Sequence, residues 1–69
     1  MSEEFGLRLK EIRTEQNIST EQLSSRVGVS SNILLKIEEG NNQVRLSFPV
    51  IESIAEALNV ETDMLIKVD

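Results

Sequence analysis

Apolar positions along the chain recur at helical spacing. Phe5, Leu9 and Ile12 stand at i, i+4 and i+7, one face of a helix over residues 2–16, with Asn17 as its stop. A second helix, 19–27, opens on Ser19, which with Gln22 makes a capping box; Leu23 and Val27 face inward and Gly28 suits a left-handed stop. Val29 and Ser30 form a short connection, and Ser30 is the cap of a third helix, 31–39, whose inward residues are Leu34 and Ile37 and which ends at Gly40. Residues 41–46 begin polar, then alternate as Val44, Arg45, Leu46, which predicts a loop with some extended character. Ser47 caps a fourth helix and Pro49 falls in its first turn, where no N–H is missed. Val50 or Ile51, then Ile54, Ala55 and Leu58, form its stripe, and Asn59 ends it. A last short helix, 62–66, contributes Leu65, with Met64 as a second candidate. The expected fold class is therefore all-α: one domain over residues 1–69, a compact bundle of four to five helices.

Helices 19–27 and 31–39 are joined through Gly28-Val29-Ser30, a helix-turn-helix. A turn that tight makes the helices cross steeply, so Leu23, Val29, Leu34 and Ile37 must meet beneath it, and the second helix is left at the surface.

Composition narrows the chemistry. The chain has no histidine and no cysteine, which removes the commonest general base, the commonest zinc ligand and any thiolate. With no Gly-rich phosphate loop and no inward carboxylate pair, an enzyme is not expected, nor a metal, a cofactor or a small-molecule substrate. The acidic start, Met1-Ser2-Glu3-Glu4, leads into no apolar run of signal length, and Ile33-Leu34-Leu35 is too short to span a bilayer. The expected setting is the cytoplasm, away from membranes. The net charge of −5 runs against a nucleic-acid surface, but it is unevenly spread. Residues 20–45 balance Arg26, Lys36 and Arg45 against Glu21, Glu38 and Glu39, whereas residues 46–69 set Lys67 against Glu52, Glu56, Glu61, Asp63 and Asp69.

Leu9, Ile12, Arg13, Leu23, the Val27-Gly28-Val29-Ser30 turn, Ile37-Glu38, Gly40, Ile54-Ala55, Ala57-Leu58, Val60 and Leu65 occur in an order that resembles the Cro/CI-type (XRE, phage-repressor-like) helix-turn-helix family over about four-fifths of the chain. The resemblance implies a bacterial or phage-type transcriptional regulator, most simply a repressor, that sets helix 31–39 in the major groove of double-stranded DNA as a homodimer on a palindromic operator. It implies a structural ion pair between Arg13 and Glu38. It also implies DNA contacts at Thr20, Ser30, Ser31, Asn32, Ile33 and Lys36, continued past the helix by Asn41, Asn42, Gln43 and Arg45. Apolar surface for a dimer contact is offered by Met64, Ile66 and Val68. The chain departs from the family where Thr20 replaces a usual Gln, and where Ile33 and Leu35 put apolar groups on the recognition helix. Two readings of Leu35 stay open. It packs against Val44, Leu46 or Phe48, or with Ile33 it forms an exposed patch suited to a protein partner, the alternative function for this fold.

Overall fold

The computed structural model describes residues 3–40 and 46–66. Its elements are α1 (Glu3–Glu15), α2 (Thr20–Val27), α3 (Ser31–Glu38), α4 (Phe48–Ala57) and a 3-10 turn (Thr62–Met64), with no strand among the described residues.

Local chemistry explains each boundary. α1 closes where Asn17 takes φ 57°, so that Asn17 N–H donates to the Thr14 carbonyl (3.0 Å) and Ile18 N–H to the Arg13 carbonyl (3.1 Å). This is the Schellman arrangement, built on Asn rather than Gly. It recurs at the end of α4, where Asn59 also has φ 57° and Val60 N–H reaches the Ala55 carbonyl at 2.9 Å. The capping box forms: Gln22 N–H donates to Ser19 Oγ (3.0 Å) and Ser19 N–H to Gln22 Oε1 (2.8 Å). Gly28, at φ 75°, ends α2. Ser47 holds the cap position of α4 but makes no side-chain cap bond, with Pro49 in the first turn as expected.

The core joins Phe5 and Leu9 of α1, Leu23 of α2, Leu34 and Ile37 of α3, Ile51, Ile54 and Ala55 of α4, and Leu58 and Leu65 beyond it. α3 packs on α1 and α2, while α4 packs on α2 and carries the 3-10 turn. Gly6 is buried where α1 crosses α3: a Cβ there would collide with the Ile37 carbonyl oxygen and lie 3.2 Å from Glu38 Cα. Backbone meets backbone at this crossing, which only glycine permits.

Three expectations change. The last helix is a single 3-10 turn; it delivers Leu65 to the core but leaves Met64 exposed. Leu35 stays 43% exposed and Phe48 is exposed as well, while Val44 lies outside the described residues. Thr20, expected at a DNA surface, is buried at the start of α2, only 7% exposed.

Candidate nucleic-acid interface

One side of α3 is held and the other is free. Successive residues turn by about 100° around a helix. Leu34, Ile37 and Glu38 therefore share the inward arc, and all three are buried. Asn32, Lys36 and Glu39 point the opposite way, with Ile33 on one flank and Leu35 on the other; all five are exposed. Ser30 precedes the helix as its cap, accepting from Ile33 N–H at 3.3 Å, and its side chain remains open to solvent. Ser31 is half-buried. The structure thus gathers Asn32, Ile33 and Lys36 on one outward surface, with Ser30 exposed at the start of the helix, and leaves Thr20 out of it. Asn41, Asn42, Gln43 and Arg45 lie outside the described residues, as does Val68; of the other two dimer candidates, Met64 is exposed and Ile66 half-buried against the core.

Arg13 fixes the position of α3. Its Nε donates to Glu38 Oε2 at 2.7 Å and its Nη2 to Glu38 Oε1 at 2.8 Å, a bidentate pair. Nη1 donates to the Ile18 carbonyl at 2.7 Å, where the chain passes from α1 into α2. One guanidinium therefore ties the end of α1, the entry to α2 and the inner side of α3. Side-chain exposures of 11% and 3% for Arg13 and Glu38 make this a buried bridge. The hydrogen bonds that Arg13 donates to Glu38 hold its guanidinium above its ordinary pKa against the opposing effect of burial, with the charges of Glu38 and Glu21 adding to the rise.

Two features escaped sequence reasoning. Gly6 bears a signal, since a mid-helix glycine costs about 1 kcal/mol relative to alanine and calls for a reason. Gln16 bears none, yet its Nε2 donates to the Leu58 carbonyl at 2.6 Å and satisfies the end of α4. Part of the acid lies on α4 rather than on α3. Glu52, Glu56 and Glu61, with Ala55, Asn59, Val60 and Thr62, line a groove of about 430 Å³ on α4 and the turn beyond it. Among the described residues no helix is long and apolar enough to cross a membrane.

A protein-family model described as "Helix-turn-helix domain" matches residues 6–68. Among solved structures, the chain is similar to the restriction-modification controller protein C.AhdI from Aeromonas hydrophila, at 33% identity over 93% of this chain and 94% of that one, with a TM-score of 0.83. It is similar to SinR, the master regulator for biofilm formation, solved in complex with DNA: 31% identity, 88% of this chain and 95% of that one, TM-score 0.78. The same fold lies within FeII HppE in complex with substrate (TM-score 0.85), where this chain spans only 41% of the other; at 22% identity that likeness shows the fold alone. No curated protein matches the chain by sequence.

Proposed function

Because the chain belongs to the helix-turn-helix domain family, in its Cro/CI-type form, we propose that it is a sequence-specific DNA-binding transcriptional regulator. The observation that carries the reading is α3 itself, anchored from behind by the Arg13–Glu38 bridge and presenting Asn32 and Lys36 outward. Asn can donate and accept together on an adenine edge, and Lys can reach a guanine or a phosphate oxygen. Ser30 and the first N–H groups of α3 suit a phosphate. α3 is only eight residues long and reads few base pairs, so a homodimer on a palindromic operator, half-sites about 34 Å apart, is the form of binding proposed, with repression as its simplest outcome. Met64, with Ile66 and Val68, is the proposed dimer contact. Controller and biofilm regulators of similar sequence, one of them bound to DNA, support the reading.

The test is selection from a randomised duplex pool, then a salt titration of the tightest binder. A palindromic winner, with affinity falling steeply as salt rises, is expected. A folded protein that binds no duplex at low salt would refute the proposal. It would favour the second reading, a protein-binding module, which rests on the exposure of Ile33 and Leu35 and on the net charge of −5.

A further inference from the structure

We propose that Ile33 is a specificity-determining residue that reads the C5 methyl of one thymine in each half-site. The inference rests on the DNA-binding reading above and names a base that the reading leaves open.

Among the described residues Ile33 has no packing partner in the core that accounts for it. It is 38% exposed and belongs neither to the core nor to the half-buried hydrophobics packed on that core. Its place on the helix is nonetheless well defined. Ile33 is the third residue of α3, and its N–H is bound by the capping Ser30 hydroxyl, so its first turn is ordered. A β-branched side chain in a helix has one strongly preferred χ1 rotamer, so little freedom is lost when it meets a partner. Around the axis, Lys36 lies between Asn32 and Ile33, about 40° from the first and 60° from the second. The three exposed side chains form one continuous surface.

Charge distinguishes Ile33 from Leu35, the other exposed apolar residue of α3. Leu35 lies about 40° around the axis from Glu39, one turn on, an exposed carboxylate that phosphates would repel, whereas Ile33 lies about 120° from it. Ile33 has the Lys36 ammonium beside it and the buried Ile37 one turn on. The Ile33 flank is therefore the one that can lie against a duplex while Asn32 and Lys36 face the bases. In the major groove every base edge offers donors or acceptors, and thymine alone adds an apolar group. An isoleucine pressed on any other edge strips water from polar atoms without replacing their hydrogen bonds. Thymine is the base whose edge complements it.

The experiment starts from the duplex recovered by selection. Each thymine in turn is replaced by deoxyuridine, which deletes the methyl and keeps every hydrogen-bonding group. Affinities of the parent, Ile33→Ala and Lys36→Ala are compared by fluorescence anisotropy at one salt concentration. In the parent, one thymine per half-site is expected to cost about fourfold when replaced, the worth of one buried methyl group. Lys36→Ala should keep that sensitivity and Ile33→Ala should lose it. Ile33 is exposed, and far-UV circular dichroism verifies that the variant remains folded. The proposal falls if no thymine is sensitive, or if the sensitive position stays so in Ile33→Ala. Failure to bind any duplex would appear at the selection step and refute the DNA-binding reading itself; tight binding indifferent to every methyl refutes the Ile33 assignment alone.

Discussion

Arg13→Met should strongly destabilise the domain, and a second substitution should restore most of the loss. Removing the guanidinium leaves the Glu38 carboxylate, 3% exposed, without either of its donors, and leaves the Ile18 carbonyl without Nη1. An uncompensated buried charge costs about 3–5 kcal/mol. The lower end applies, because Arg13 keeps 11% of its side chain in solvent and water can reach the gap. Total stability for 69 residues, at ordinary values per residue, is roughly 3–10 kcal/mol. A loss of about 3 kcal/mol lowers Tm by about 12–24 °C in a domain of this size. Glu38→Leu should cost a similar amount by stranding the guanidinium. The double variant Arg13→Met/Glu38→Leu removes both charges together and leaves chiefly the Ile18 carbonyl short of a partner, a cost of about 1 kcal/mol. Because the chain has no Trp or Tyr, urea unfolding is followed by far-UV circular dichroism at 222 nm rather than by fluorescence. Single variants that each cost under about 1 kcal/mol and add without coupling would put the pair among ordinary surface bridges and refute the argument.

The raised pKa of Arg13 sets a pH expectation. Stability from a raised group is fully present below its ordinary pKa and lost only as pH climbs through the folded value, so ionisation of Arg13 should leave Tm unchanged between about pH 6 and 9. Gly6→Ala should destabilise by about 1–3 kcal/mol in the same urea assay, although alanine is the better helix former, because its methyl collides with the Ile37 carbonyl; a stabilised variant would contradict the close crossing. Gln16→Ala should cost about 1 kcal/mol, the worth of its bond to the Leu58 carbonyl, read as a lower urea midpoint with an unchanged slope. Lys36→Ala should weaken every duplex alike and lower the salt slope by about 0.9 per half-site if the ammonium meets a phosphate, or relax one base pair if it meets guanine; no change on any duplex refutes both roles.

Where structure follows from neighbours in sequence, the chain is legible. Ser19 with Gln22, Gly28, Ser30, and Asn17 and Asn59 in left-handed geometry act within a few residues, and each marks a boundary seen in the fold. What escaped depends on partners far along the chain. Gly6 answers to Ile37 and Gln16 to Leu58, and neither partner can be read from a local pattern. Thr20 shows the same limit: its position in the motif marked it as a contact, but packing at the start of α2 buries it. The final segment failed for a different reason. A period of 3.6 over five residues is met by only one or two apolar positions, so Leu65 could be placed in the core while its helix could not be told from a 3-10 turn.

The charge that argued against nucleic acid is weaker evidence once it is placed in space. α3 packs on α1 and α2, whereas Glu52, Glu56 and Glu61 line a groove on α4 and the 3-10 turn. At physiological salt, exposed charges separated by more than about 8 Å are largely screened from one another. On α3 itself a phosphate meets Lys36 and the N-terminal N–H groups of the helix, with Glu39 opposing them. The acidic groove acts at longer range and most strongly in dilute salt, where it slows encounter with DNA. Glu52→Gln/Glu56→Gln should accordingly raise the association rate at about 10 mM salt and have little effect at about 150 mM, with the variant's dissociation rate equal to the parent's at each salt concentration. A change in dissociation instead would mean that the groove touches the bound duplex, contrary to its placement on α4.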